Sequence, residues 1–386
     1  MDTIMGTMEL YGISGRVVLE NGIADDGVVI VEGEHIAYAG PKKDIPENMA
    51  AIPIVPKGGR LIGPGFVDIH CHAAGGFEPG DVPLGVVAGH MLEEGTTGLL
   101  VSIYRSVGHE RTLEALDSVK AHRKSHKNIL GAHMEGPYLN PRYGSVRSFA
   151  GVHIDKKRHG EILQKEIVVQ WTFSPELEGS GAFLADITEY GVVPAMGHSE
   201  ADLEAVRMAC EGGARIVTHI FNATGCGKVP PFEGVKALSF DQAAMLCEGL
   251  FYEVICDRRG CHVPYDMLRL LLKTVGIDRV IAITDFTRFS RTGEDITLIE
   301  VEGKPELYGS ALTMRRVANN LAEQGFSPSD IFKMTSRNPA LGIGVYGRMG
   351  SLEKGKLADI VVADGAFSSV ETILHGKTVQ TGQGGV

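Results

Sequence analysis

Cysteine is scarce and unpatterned in this chain: six in 386 residues, with no CxxC pair and no regular spacing. That excludes a disulfide framework, which needs closely spaced cysteines in a short secreted chain. No uncharged apolar run approaches the roughly 18 residues of a membrane helix, so no membrane partner is expected. Positive charge is in deficit. Lys and Arg number 37 against 48 Asp and Glu, a formal net charge of −11, which argues against nucleic acid as a partner. The first residues show no basic stretch leading into an apolar one, and the expected location is the cytoplasm. Neither a fixed-period repeat nor a low-complexity tract is present. With 44% hydrophobic and 22% charged residues, the composition is that of a folded globular protein and not of a disordered one.

Glycine is the abundant residue, at 50 of 386, nearly twice the usual share of about 7%. Without a collagen-like period, the excess points to tight turns and to places where backbone approaches something closely. The length exceeds one ordinary domain. It fits an α/β barrel of roughly 250 residues with a smaller appendage.

The two ends share a texture. Arg16-Val-Val-Leu and Gly27-Val-Val-Ile-Val-Glu are short β-type runs, as are Ala358-Asp-Ile-Val-Val-Ala and Val370-Glu-Thr-Ile-Leu before His375-Gly-Lys. Turn residues separate them, so residues 1–60 and 350–386 are expected to meet in one small β-sandwich domain. The middle, 61–349, alternates instead. Strand-like runs open at Gly65, Gly98, Ile129, Ile167, Val192, Arg215, Phe251 and Val280. Helix-like stretches lie between them, such as 198–212, with Ser199 as candidate N-cap, and 264–276. Eight such units predict parallel βα connections closing a (β/α)8 TIM barrel. Gly342-Ile-Gly-Val-Tyr-Gly fits GxGxxG, yet it follows Asn338-Pro339 and no strand, so it reads as a turn.

Barrel chemistry sits at the C-terminal ends of the strands. Reading those ends in order gives His70 and His72, His133 and Glu135, His198, His219 and Asp285. Strand residues two apart share a face, so His70 and His72 can point at one site. Imidazole nitrogens and carboxylate oxygens are the donors Zn²⁺ or Fe²⁺ accept in hydrolytic sites. Any one of these residues has a bland explanation, Asp285 as a helix cap for instance. Metal-type residues at five of eight strand ends favour a metal site.

Gly63-Pro-Gly-Phe-Val-Asp-Ile-His-Cys-His resembles the opening strand of the amidohydrolase superfamily. His133-Met-Glu-Gly-Pro-Tyr, Gly197-His-Ser, Thr218-His-Ile-Phe-Asn-Ala and Thr284-Asp are similar to the N-acetylglucosamine-6-phosphate deacetylase branch. The tail, Asn338-Pro-Ala and then Gly350-Ser-Leu-Glu-Lys-Gly-Lys-Leu-Ala-Asp-Ile-Val, matches the superfamily as well. The resemblance implies that Glu135, His198 and His219 hold one divalent metal, zinc or iron. It implies that His70 and His72 help hold a second, with Glu135 between them, so one or two metals per subunit are expected. Asp285 would be the catalytic acid/base, and Asn222, the backbone at Ala223 and His262 would contact the sugar. A small-molecule substrate and a homodimer follow from the same resemblance. The chain departs from the family at Tyr143-Gly-Ser-Val-Arg, at Asp257-Arg-Arg-Gly-Cys-His262, and at Phe232, where the family has a phosphate-binding Arg. Arg258 or Arg259 could take that role, since guanidinium suits phosphate. The expected activity is removal of an acetyl group from an N-acetylated amino sugar, with phosphorylation at the 6 position implied by the same resemblance. Opening of a cyclic amide, ureide or lactone, or a silent homologue serving as a binding protein, are the competing readings.

Overall fold

A computed structural model describes residues 10–73, 82–104, 108–144, 153–228, 230, 232–290, 293–301 and 303–380. Two compact units divide the chain: Met1–Val67 with His90–Thr97 and Met314–Val386, and Asp68–Gly89 with Gly98–Thr313.

The first unit carries a seven-stranded sheet drawn from both ends of the chain. Its order places Lys377–Thr378, Val370–Leu374 and Ile360–Ala363 beside Ile54–Pro64, followed by Leu10–Leu19, Gly22–Glu32 and His35–Pro41. Alternation along Gly22–Glu32 sorts its side chains to opposite faces. Val29 and Val31 join a buried cluster with Ile13, Ile36, Ile62, Ile360 and Ile373, whereas Val28 and Ile30 pack on the other face with Ala37. Ile36 and Ile373 come from strands near opposite ends of the sheet order, and the Ile36 amide donates to Lys356 O at 2.9 Å. The sheet therefore folds over on itself into two layers, which is how the two termini come to share one core. Helices Met314–Glu323, Pro328–Phe332 and Asn338–Gly342 belong to the same unit. Past Gly342, the glycine-rich stretch forms turns.

The eight expected strand runs all form strands. They are Phe66–Cys71, Thr96–Tyr104, Ile129–Glu135, Val168–Phe173, Val193–Met196, Ile216–Val217, Phe251–Ile255 and Val280–Ile283, neighbours in that order. Closure joins the last strand end to the first: the Asp285 amide donates to His70 O at 2.9 Å and the His72 amide to Phe286 O at 2.7 Å. Strand alternation again decides what faces where. Asp68, His70, Ser102, His133, Gln170, Thr172, Thr218 and Glu253 are buried and joined by hydrogen bonds inside the barrel, where Glu135 is buried too. The intervening Val67, Ile69, Val101, Ile103, Met134, Trp171, Phe173 and Val254 are buried apolar residues. The barrel interior is thus filled by polar side chains at its upper level, with the apolar layer outside. Trp171 packs edge-on against Phe183 of the helix Ser180–Glu189, ring centroids 5.2 Å apart.

One helix starts later than expected. The stretch 198–212 forms a helix only over Leu203–Glu211, and its cap is Asp202, whose carboxylate accepts the Ala205 amide at 3.0 Å. Ser199 lies ahead of the helix, its hydroxyl donating to Glu176 Oε2 at 2.6 Å and accepting the Ala201 amide at 3.0 Å. The helix expected at 264–276 spans Tyr265–Val275.

Candidate active site

The strand ends deliver the expected ligand set to one place. His70 and His72 leave the first strand on the same face, and their Nε2 atoms lie 3.3 Å apart. Glu135, at the end of the third strand, reaches across to both groups. Its Oε1 is 2.8 Å from His198 Nε2 and 3.0 Å from His219 Nε2, and its Oε2 is 3.2 Å from His72 Nε2. Two ligand groups result, His70–His72–Glu135 and Glu135–His198–His219, with Glu135 common to both. Asp285 stands beside the first, Oδ1 being 3.2 Å from His72 Nε2 and 3.4 Å from His70 Nε2.

Backbone strain is concentrated here. Among the described residues, eight non-glycine positions have positive φ, and five of them are His198, His219, Phe221, Ala223 and Asp285. Conformations that side chains avoid persist where the surrounding structure over-determines them, typically at functional sites. Asp285 is held by the turn opposite it: the Ser310 amide donates to Asp285 O at 2.8 Å. A Cβ at Gly309 would run into that same carbonyl, so the approach requires glycine.

Charge within the cluster is mutually dependent. Burial pushes the Glu135 carboxyl up, but His70, His198 and His219 outweigh it and hold the group well below the ordinary range. Asp285 is likewise lowered, His70 and His72 overcoming its burial. His70 moves the other way, since Asp285 and Glu135 more than offset the burial that disfavours its charge. His133, buried and next to the His70 imidazole, is driven well below the ordinary histidine range. Hydrogen bonds to Ser102 Oγ at 2.9 Å and Thr172 Oγ1 at 2.8 Å make it part of the barrel packing, outside both ligand groups.

These residues fit a divalent cation. His198 and His219 bring two Nε2 atoms to 3.1 Å, as His70 and His72 do to 3.3 Å. An imidazole pair so arranged shares at most one proton, or directs two lone pairs at a common cation. Glu135 Oε2 and His219 Nδ1 are buried with no hydrogen-bond partner among the described residues. The donor set is nitrogen and carboxylate oxygen without thiolate, which suits zinc or non-haem iron.

The amidohydrolase family model matches residues 61–381. The chain belongs to the amidohydrolase family. Curated relatives of this amidohydrolase include N-acetylglucosamine-6-phosphate deacetylase of Bacillus subtilis, 25% identical over 94% of each chain. The Mus musculus protein of that name is 28% identical over 83% of this chain and 84% of its own. N-acetylgalactosamine-6-phosphate deacetylase of Escherichia coli O157:H7 is 24% identical over 94% of this chain and 97% of its own. Among solved structures, a mutant N-acetyl-D-glucosamine-6-phosphate deacetylase from Mycobacterium smegmatis, in complex with N-acetyl-D-glucosamine-6-phosphate, superposes with a TM-score of 0.82. It is 25% identical and covers 97% of this chain and 100% of its own. Membership carries hydrolysis of a C–N amide bond and dependence on metal, and the fold is the family's TIM barrel.

The expected substrate contacts spread further. Asn222 Nδ2 donates to His262 O at 3.3 Å, joining two of them. The His262 ring is fixed by Asp257, Nδ1 lying 3.0 Å from Oδ2, and its Nε2 is 3.2 Å from Gly309 O. The buried Asp257 carboxyl is itself lowered to about 2, the hydrogen bonds from His262 overcoming its burial. Arg258 and Arg259 are exposed, and the Arg259 guanidinium donates to Glu294 at 2.8 Å. Phe232 is 74% exposed. Of the divergent stretch 143–147, residues 145–147 lie outside the described residues. Tyr143 donates to Glu200 Oε2 at 2.8 Å. Among the described residues, no helix is long and apolar enough to cross a membrane.

Sequence reasoning passed over Glu253 and Gln170. Both lie mid-strand, Gln170 Nε2 donating to Glu253 Oε1 at 2.8 Å, and Glu253 Oε2 is 3.1 Å from His70 Nδ1. The signal was available: a single acidic residue within the apolar run Phe251-Tyr-Glu-Val-Ile must be matched by a buried partner.

Proposed function

We propose that this amidohydrolase removes the acetyl group from an N-acetylated amino sugar carrying a 6-phosphate, such as N-acetylglucosamine 6-phosphate. The observation that carries the reading is Asp285 Oδ1 at 3.2–3.4 Å from two imidazoles of a five-residue ligand set. Similar relatives are named as deacetylases of such sugars. Glu135, His198 and His219 would hold one divalent cation, zinc or iron, and His70, His72 and the shared Glu135 a second. A cation bound there lowers the pKa of water and polarises the acyl carbonyl.

The chain's own groups handle the proton. Asp285, kept ionised by the neighbouring imidazoles, accepts a proton from the attacking water. As the amide C–N bond breaks, the same carboxyl returns that proton to the amine nitrogen, releasing acetate and the free amino sugar. Asn222 and the Ala223 backbone, with His262 held by Asp257, position the sugar. Arg258 or Arg259 receives the phosphate, guanidinium being the group that binds it in two places at once. Phe232, Val235 and Leu238, all exposed, fit a homodimer contact in a cytoplasmic enzyme.

The test is acetate release from N-acetylglucosamine and N-acetylgalactosamine, each with and without 6-phosphate, for protein as purified, after chelation, and after zinc or iron is restored. Phosphorylated sugars should be hydrolysed faster, with activity lost on chelation and regained with metal. Turnover of a cyclic amide, ureide or lactone with none of the sugars would overturn the deacetylase reading. Equal rates without phosphate would remove Arg258 and Arg259 from it.

A further inference from the structure

Glu253 is a fully buried carboxylate on the seventh barrel strand, below the ligand groups and outside both. Its contacts are specific. Oε1 accepts from Gln170 Nε2 at 2.8 Å, while Oε2 faces His70 Nδ1 at 3.1 Å and the His219 amide at 3.4 Å. One oxygen thus touches a residue of each group, the ring of His70 and the backbone of His219.

We infer that Glu253 is a positioning residue that ties the two metal positions together. This rests on the metal reading given above. A carboxylate acceptor opposite Nδ1 holds a proton on Nδ1, so Nε2 is the His70 nitrogen that would serve a cation at the cluster. His72 Nε2 at 3.3 Å and Asp285 Oδ1 at 3.4 Å lie on that side. Such outer partners orient a ligand and raise its basicity. Elsewhere in the set, His198 Nδ1 lies 3.4 Å from the Tyr143 carbonyl, and His219 Nδ1 has no hydrogen-bond partner among the described residues. At His219 the contact is to the amide, where φ is 27°, so the same oxygen also anchors a strained stretch of backbone.

Glu253→Gln separates charge from shape. Among the described residues Gln170 Oε1 is buried with no hydrogen-bond partner, so once the Gln170 amide turns over, an amide at 253 can donate to it while its own oxygen still accepts from His70. Glu253→Asp keeps the charge and shortens the reach. Metal-free native protein and both variants would be titrated with Zn²⁺ against a chromophoric chelator. The Co²⁺-loaded proteins would be compared by visible absorption, and the metal-free proteins by thermal unfolding. The expected result is a Zn²⁺ Kd raised about 10- to 100-fold in Glu253→Gln, a changed Co²⁺ spectrum, and partial recovery in Glu253→Asp. An unchanged Kd and spectrum, with only a lower melting temperature of the metal-free variants, would mean a packing role and overturn the inference. Native protein that takes up no Zn²⁺ would overturn the metal reading beneath it. Native protein that binds Zn²⁺ but hydrolyses no sugar would overturn the deacetylase reading, while the Kd and the spectra would still decide the role of Glu253.

Discussion

Replacing Asp285 by Asn gives the sharpest test of the proposed chemistry, because the structure limits what else the change can do. Asp285 has φ 47°, a left-handed conformation that Asn tolerates about as well as Asp, so little backbone strain is added. The Asp285 Cγ lies 3.4 Å from where a Cβ on Gly309 would sit, and an isosteric amide fits the same space. Asp285 also stands outside both ligand groups, which predicts that metal content is unchanged. What is lost is a proton acceptor for the water and a proton donor for the amine. General acid/base groups contribute about 100- to 10,000-fold, equivalent to about 3–5 kcal/mol of barrier. The measurement is kcat on the best substrate from the sugar panel, together with metal per chain by elemental analysis. Activity within about tenfold of native at full metal content would refute the assignment. Loss of metal along with activity would make Asp285 a ligand instead.

Two other positions give outcomes that the geometry fixes in advance. Gly309→Ala places a methyl against the Asp285 carbonyl at a residue with φ +56°, and kcat/KM should fall about tenfold or more, since small displacements of reacting groups are costly, while circular dichroism and metal content stay native. Asp359 concerns stability. Burial pushes its carboxyl up to about 7, despite the His375 amide donating at 2.9 Å. The folded state therefore holds this proton where the unfolded chain releases it, and the stabilisation is present at low pH and lost as pH rises from about 4 to about 7. Asp359→Asn removes that dependence. Relative to native protein, the variant should gain about 2–3 kcal/mol between about pH 5 and about pH 8, read from urea unfolding at each pH. A constant difference across that range would show that Asp359 titrates normally.

Much of the barrel is legible from local sequence, because each strand is a short apolar run that ends at a turn. The clustering of the candidate ligands is legible for the same reason: His70 and His72 two apart, and Glu135, His198 and His219 at or just past the end of a run, need only the rule that function gathers at strand ends. What escapes is non-local. Ser199 looks like a cap, but its hydroxyl is tied to Glu176, 23 residues earlier, and to the Ala201 amide ahead of the helix. Arg259 looks like a spare cation until Glu294, 35 residues later, pairs with it. Glu253 hides among apolar neighbours because its partners, His70 and Gln170, stand 183 and 83 positions away in the chain. The two-layered terminal sheet is visible as texture, but the pairing of Ile360–Ala363 with Ile54–Pro64 needs a contact spanning nearly the whole sequence.

The polar filling of the barrel bears on how such a protein can change over time. Asp68, His70, Gln170 and Glu253 are linked by hydrogen bonds in the interior, as are His133 and Thr172, so His70, a proposed ligand, is also part of the fold's buried hydrogen bonding. Deleting one leaves its buried partner exposed to the full penalty of an unmet polar group, about 1–3 kcal/mol. A change at one of these interior positions therefore has no neutral single step, and several of them would have to be exchanged together for apolar ones. Exposed loop positions stand outside this buried network. On the reading proposed above, selection on this scaffold can retune the substrate through exposed positions such as Phe232 and Arg258 far more readily than it can exchange the buried residues beneath.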